Sequence, residues 1–360
     1  MPPNDQPDIA TSTRKDDHLR IALETPVEVA APIGFDAVRL WHEALPEMAL
    51  SDVDPRVTFL GKELAFPLMV GSMTGGTAKA GQLNQVLAKA AARAGIGMFL
   101  GSQRVILEKP DTRGTFAVRD VAPDLRLLVG NIGAVQLNYG VGLPQIERLV
   151  ASVNADALVF HLNPAQEAVQ PEGDTDFRGL AQKLVDISHA VSFPVGLKEV
   201  GNGLSGRSLQ RVRAGRWAFV ESAGAGGTSW TLIEGRRRPG TDTEGLGDLF
   251  AGWGIPSVTS ILSCVEHAGD AAVVASGGIR TGIDCVKALC IGASVTAMAL
   301  PLLVAADKGV DAAYDAMMFY RDAVVRAMFL VGARTVADLR SVPRRVHPDA
   351  LPSNFVRRRF

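Results

Sequence analysis

Residues 67–73 read PLMVGSM and residues 97–103 read GMFLGSQ, and the stretch they enclose decides the fold. Both runs are apolar on consecutive positions, as expected of parallel strands covered on both faces, and both close on small polar residues. Between them Leu83, Val86, Leu87, Ala90 and Ala94 recur at the i, i+3, i+4, i+7 spacing of an amphipathic helix. Strand, helix and strand make one βα unit and the start of the next. Outward from this unit the alternation continues at Leu125–Gly133, Ala157–Asn163, Val195–Gly201, Ala218–Gly227, Ala271–Ile279 and Ser294–Leu303, with a second helical stripe at Leu180, Leu184, Ile187 and Val191. Eight such runs predict an α/β fold of the (β/α)8 TIM-barrel class with an N-terminal cap segment; an open doubly wound sheet is the alternative.

The flanks divide as residues 1–13, a disordered polar tail; 14–66, an irregular cap packed on the barrel, with Leu40, Leu45 and Leu50 spaced by turns; 67–340, the barrel; and 341–360, a C-terminal tail. The tail ends Arg357-Arg358-Arg359-Phe360, a solvated end with no assigned role. Residues 227–254 leave a strand's C-terminal end carrying glycines, two tryptophans and the run Arg236-Arg237-Arg238. A connection this long in a compact domain predicts a mobile active-site lid.

Composition excludes several classes. With 47% hydrophobic and 21% charged residues, the chain has apolar material for a large core and too little charge for disorder. Its 37 Lys and Arg balance 38 Asp and Glu, so no global field recruits nucleic acid or an anionic membrane, and any anion site is local. Ala288–Ala306 is uncharged and about as long as a bilayer span, but Gly292, Ser294, Thr296 and Pro301 divide it into a helix end, a turn and a buried strand, Val295–Leu303. Cys264, Cys285 and Cys290 form an odd set without CxxC spacing, and the N-terminus lacks the apolar stretch of a signal peptide; a cytoplasmic location follows.

In a barrel of this class the active site forms where strands end, and here those ends are polar. They read Ser72-Met73-Thr74-Gly75-Gly76, Ser102-Gln103-Arg104, Asn131, His161-Leu162-Asn163 with Gln166-Glu167, Lys198-Glu199, Gly226-Gly227-Thr228-Ser229 and Ser276-Gly277-Gly278-Ile279-Arg280. Gly277 and Gly278, with the main chain at Ala299 and Leu300, suit a phosphate site after the last two strands. His161 and Asn163 project to one side of a strand, below Gln166 and Glu167. One carboxylate among neutral donors cannot make a zinc site, but it suits a Mg²⁺ that completes its shell with water and substrate phosphate. Lys198, inside an apolar run, calls for an anion. Gly201-Asn202-Gly203-Leu204-Ser205-Gly206, with Glu221 about twenty residues on, imitates a dinucleotide fingerprint, yet it falls in the fifth unit of a regular series and reads as a decoy.

Taken in order, Arg14-Lys15-Asp16-Asp17-His18, Gly71-Ser72-Met73-Thr74-Gly75-Gly76, Gly101-Ser102-Gln103-Arg104, His161-Leu162-Asn163, Gln166-Glu167, Lys198-Glu199-Val200-Gly201, Gly226-Gly227-Thr228-Ser229-Trp230 and Ser276-Gly277-Gly278-Ile279-Arg280 resemble the type 2 isopentenyl-diphosphate isomerases. The resemblance runs from about residue 14 to 305. It implies an FMN-dependent barrel enzyme that interconverts isopentenyl and dimethylallyl diphosphates without net redox change, using Mg²⁺ and a flavin kept reduced by NADPH. It places FMN on Ser72, Met73, Thr74, Ser102, Asn131, Lys198 and Thr228, with its phosphate at Gly277, Gly278, Ile279, Arg280, Ala299 and Leu300. Substrate falls to Arg14, Lys15, Ser102, Gln103, Arg104 and Gln166, Mg²⁺ to Glu167, and catalysis to His161, Asn163, Gln166 and Glu234. It also implies a homo-octamer built from tetramers, with Arg14 and Lys15 on a tail ordered by substrate or a neighbouring subunit. Gly71 departs from the family, which usually carries a second Ser there. The competing enzyme reading is a flavin oxidoreductase of a 2-hydroxy acid or nucleotide, which needs a His–Arg pair or a loop cysteine, and the three cysteines fall in predicted helices. A non-catalytic flavin- or phosphate-binding protein is the remaining alternative.

Overall fold

The computed structural model describes residues 9–28 and 33–348, with side chains from Arg14 onward. Each predicted apolar run contains one strand: β1 (Leu68–Val70), β2 (Gly97–Phe99), β3 (Leu128–Gly133), β4 (Ala157–His161), β5 (Val195–Lys198), β6 (Phe219–Glu221), β7 (Ala272–Ala275) and β8 (Val295–Met298). All are parallel and neighbours in chain order, and β8 returns to β1 by pairing Thr296, Ala297 and Met298 with Leu68, Met69 and Val70. The sheet is therefore a closed (β/α)8 barrel rather than an open one.

Its interior is packed. Met69, Phe99, Leu127, Val129, Val159, Phe219, Val274 and Val295 fill it, joined by Phe59 and Leu64 from the antiparallel pair Val57–Phe59 and Lys62–Leu64. Lys62 lies 3.8 Å from Asp156, just ahead of β4, which fixes this hairpin at the N-terminal end of the barrel. Phe59 meets Phe219 edge to face at 5.8 Å between ring centroids. The Phe219 ring occupies the space beside Gly196, where a Cβ would come within 2.5 Å of it. With the lower end of the interior plugged, the hollows lined by the strand-end polar residues lie at the C-terminal ends of the strands.

Several expectations at the edges change. The eighth strand stops at Met298, not Leu303, because Pro301 sits in the first turn of a helix, Leu300–Ala306. In the cap, Phe35, Val38 and Val53 are buried and Leu40 packs against the core, but Leu45 is 70% and Leu50 41% exposed, so the leucine spacing marks a packed face only at Leu40. Val38–Leu40 pairs antiparallel with Arg344–Val346, which makes the start of the C-terminal tail part of the folded rim. The N-terminal helix, Ile9–Glu24, starts ahead of residue 14. Residues 1–8 and 349–360, with the terminal arginines, lie outside the described residues.

Residues 227–254 are built mainly of two packed helices, Trp230–Arg236 and Asp242–Leu249. Gly235 and Gly247 let them touch: a Cβ on Gly235 would lie 3.1 Å from the Gly247 Cα. Among the described residues no helix is long and apolar enough to cross a membrane.

Candidate active site

Two adjoining hollows lie over the strand ends and share Ser72, Met73, Lys198, Val200 and Trp230 as walls. The first collects Arg14, Lys15, Thr74, Ser102, Arg104, Asn131, His161, Asn163, Gln166 and Glu167. The second runs to Thr228, Gly277, Gly278, Ile279, Arg280, Ala299 and Leu300. The strand-end residues from eight different βα units thus converge.

The N-terminal helix roofs the first hollow. Leu19, Ile21 and Ala22 are buried and anchor it, while Arg14, Lys15 and His18, within one turn of each other, face the opening. Lys15 Nζ donates to Ser102 O at 3.0 Å and lies 5.2 Å from the centre of the Phe116 ring. Burial, with Arg14 nearby, lowers the Lys15 ammonium to about 7. A cation held this poorly favours an anionic partner.

At the ends of β3 and β4 a short chain of hydrogen bonds fixes a tautomer. Asn131 Nδ2 donates to Leu100 O and to Ser72 Oγ, both at 3.0 Å, so Asn131 Oδ1 is left to accept. His161 Nδ1, 2.8 Å away, is therefore the protonated nitrogen, and Nε2 carries the lone pair. Burial, then Lys198 and Lys15, push the imidazole down to about 3, so it is neutral. Gly133 leaves room for the ring; a Cβ there would meet His161 Nε2 at 3.2 Å.

Pro164 starts the helix Pro164–Val169, whose first turn carries Gln166 and Glu167 over the strand end. Asn163 Nδ2 donates to Glu167 Oε1 at 2.8 Å and to Gln166 Oε1 at 3.1 Å, and Asp174 N donates to Glu167 Oε2 at 2.8 Å. Burial raises the Glu167 carboxyl against these bonds. Asn163 Oδ1 is buried without a hydrogen-bond partner. Among the described residues no three His, Cys, Asp or Glu cluster to hold a metal, so an ion bound here would take most of its ligands from substrate and water.

Glu234, expected at the site, is fully buried behind it on the helix Trp230–Arg236. It reaches the cavity through Gln166, whose Nε2 donates to Oε1 at 2.8 Å, and through His18, whose Nε2 lies 2.9 Å from the same oxygen. Arg237 Nη1 donates to Oε2 at 2.5 Å and Arg237 Nη2 to Glu172 Oε1 at 2.8 Å. Burial alone would raise Glu234, but His18, Gln166 and Arg237 outweigh it and hold the carboxyl near 2, as a carboxylate. Gln103 is the expected site residue that stands apart: its side chain is buried in the wall, with Nε2 donating to Leu149 O and Oε1 accepting from Asn131 N.

Lys198, 5% exposed, donates to Glu199 O at 2.6 Å and has Glu221 3.8 Å away, which leaves a buried ammonium at the wall common to both hollows. The glycine-rich imitation after β5 is no phosphate cradle, because Glu199 Oε2 accepts from the amides of Val200, Gly201 and Asn202 and occupies the place an anion would take. The cysteines are buried in helices, with Cys264 and Cys285 pushed up to about 12 and Cys290 to about 11, so none is a poised nucleophile.

Sequence reasoning assigned no role to His18, Gln170 or Arg237. His18 follows Arg14 by four residues on one helix, and that spacing was the signal for it. Gln170, with its amide set to satisfy both neighbours, donates to Glu234 Oε1 and accepts from Arg14 Nη1.

Residues 254–344 match the model of the FMN-dependent dehydrogenase family. Solved structures of mandelate oxidase share the fold: the complex with 3,3-difluoro-2-hydroxy-3-phenylpropionic acid superposes with a TM-score of 0.63 at 17% identity over 92% of this chain and 95% of that one. The benzoyl-formic acid complex gives 0.62 at 18% identity, over 92% and 94%. Curated sequences are far more similar. An isopentenyl-diphosphate delta-isomerase of Nostoc sp. is 41% identical over 94% of this chain and 97% of its own length. One of Synechococcus sp. is 46% identical over 82% and 85%, and one of Rickettsia akari 42% identical over 94% and 98%. Identity at that level along nearly the whole barrel, including its N-terminal roof, makes this chain a member of the isopentenyl-diphosphate delta-isomerase family.

Proposed function

We propose that the chain interconverts isopentenyl and dimethylallyl diphosphates by adding a proton at one end of the allylic unit and removing one at the other, with reduced FMN and Mg²⁺ bound. The observation that supports this best is the joining of a basic mouth, formed by Arg14, Lys15 and Arg104, to a second arm lined by Gly277, Gly278 and Arg280. One arm suits a diphosphate and the other a cofactor phosphate.

Ser72, Met73, Thr74, Ser102, Asn131, Lys198 and Thr228 would hold the flavin, with its phosphate at Gly277–Arg280, Ala299 and Leu300. Glu167 and Asn163 Oδ1 would hold Mg²⁺ beside the diphosphate. When bound, the reduced flavin supplies an acid–base nitrogen next to the alkene, and the metal neutralises phosphate charge. The protein's share is orientation. Arg14, Lys15 and Arg104 fix the diphosphate and so place the reacting carbons. His161 offers a neutral acceptor at Nε2, while Gln166, hydrogen-bonded to Glu234, and His18, 2.9 Å from the same carboxylate oxygen, line a path along which a proton can be held away from the carbons. The helices Trp230–Arg236 and Asp242–Leu249 keep water from a cation-like intermediate. NADPH as reductant, a cytoplasmic location and a homo-octamer complete the reading on the strength of the family resemblance.

Isopentenyl diphosphate incubated without oxygen with the enzyme, FMN, Mg²⁺ and NADPH should give dimethylallyl diphosphate, and an oxidised control should give none. Bound flavin that NADPH bleaches, without that product, would favour oxidoreductase chemistry instead.

A further inference from the structure

The decoy fingerprint leaves one residue without a role. Glu221, the acid about twenty residues after it, closes β6, and barrel register sets it beside Lys198 of β5 and Val274 of β7. It is 3% exposed and lines the second hollow together with Lys198, Ser276 and Gly277. One of its carboxylate oxygens is occupied: Ser276 Oγ donates to Oε1 at 2.7 Å, and Lys198 Nζ lies 3.8 Å from the same atom. The other, Oε2, is buried with no hydrogen-bond partner.

An unsatisfied buried carboxylate oxygen costs more than a neutral orphan does, so its place implies a donor that arrives with a ligand. The protein cannot easily supply it. Lys198 donates to Glu199 O, and Ser276 is already committed to Oε1. Position narrows the donor further. Glu221 stands between Lys198, at the wall shared with the substrate hollow, and the Gly277–Arg280 turn expected to take a phosphate. On the flavin reading above, on which this inference rests, the cofactor segment spanning those two points is the ribityl chain. That segment is the part of FMN whose hydroxyl groups are neutral donors without a fixed partner of their own.

We infer that Glu221 is a cofactor-binding residue whose Oε2 accepts a hydrogen bond from a ribityl hydroxyl, while Oε1, held by Ser276, faces Lys198. The carboxylate that mimics a dinucleotide-binding acid in the linear sequence thus grips a polyol after all, but at a barrel strand end and on a different cofactor.

The test is reconstitution of the apoprotein with FMN and with its 2′-, 3′- and 4′-deoxyribityl analogues, following flavin fluorescence, for the wild type, Glu221→Ala and Glu221→Gln. The wild type should bind one of the three analogues about tenfold or more less tightly than FMN, the loss expected for a hydrogen bond to a charged acceptor. In Glu221→Ala the penalty for that same analogue should vanish, and in Glu221→Gln, which keeps the shape of the side chain and serves if the alanine variant does not fold, it should shrink. Equal penalties in wild type and variants for all three analogues would overturn the assignment. A wild type that binds no FMN at all would instead overturn the flavin reading itself.

Discussion

Gln166 Nε2 donates to Glu234 Oε1 at 2.8 Å, tying the first turn above β4 to a buried carboxylate sixty-eight positions later. The pair connects the cavity wall to a group no solvent reaches, because Glu234 is fully buried and Gln166 lines the hollow. Glu234→Gln keeps the volume and removes the negative charge. We expect kcat to fall by about 10²–10⁴-fold, the range of a general acid–base contribution, with KM changed little. Steady-state rates at saturating Mg²⁺ check this, and turnover within twofold of wild type would remove Glu234 from the proton path.

Arg237 braces the same carboxylate from the far side and is itself held by Glu172. Without its charge the Glu234 carboxyl rises from near 2, so protonation at Glu234 sets in at higher pH. In Arg237→Gln the acid limb of the kcat/KM profile should move up by about one pH unit or more, whereas Arg237→Lys should retain most of the wild-type profile. A purely structural role would lower the whole curve without displacing it.

Lys15 is held near 7 by burial and by Arg14. At pH 8 it is mostly neutral, and a diphosphate that restores its charge must bring in a proton. Calorimetry of isopentenyl diphosphate binding to the oxidised enzyme, in two buffers of different ionisation enthalpy, should therefore show uptake of up to about one proton per site at pH 8, falling away by pH 6. Lys15→Met should bind more weakly and lose that uptake.

The neutral His161 makes a stability prediction. Its folded value of about 3 lies below the ordinary 6.5, so the unfolded chain binds the extra proton. Stability from this group is fully present above pH 6.5 and is lost progressively as pH falls toward 3. Denaturant midpoints of the wild type and His161→Gln should converge across that window, and parallel curves would mean that the imidazole is not held neutral.

The barrel was legible because each strand is short, covered on both faces and bounded by a helical stripe; Leu125–Gly133 already holds the whole of β3. Where a strand runs directly into a buried helix the pattern fails, since both are apolar on consecutive positions, and only Pro301 marks the change after Met298. Glycines misled at 227–254 for a physical reason. Gly235 and Gly247 disfavour helix in isolation, but here they serve the close approach of two helices. Strand-end polarity pointed to the cavity lining, while Gln103 shows its limit: a strand-end side chain can turn into the wall and satisfy backbone groups instead. His18 and Gln170 gather on Glu234 from two other segments, a convergence that no local spacing encodes, whereas Arg237 stands at i+3 to Glu234, a helical spacing that the sequence does carry.

The most direct measurement is the ratio of NADPH oxidised to dimethylallyl diphosphate formed in a strictly anaerobic reaction. An isomerase that needs its flavin reduced but transfers no net electrons should consume reductant only to prime the cofactor, so that many product molecules form per NADPH once the flavin is bleached. One NADPH consumed for each molecule of isopentenyl diphosphate converted would contradict the account and place the chain among the oxidoreductases whose barrel it shares.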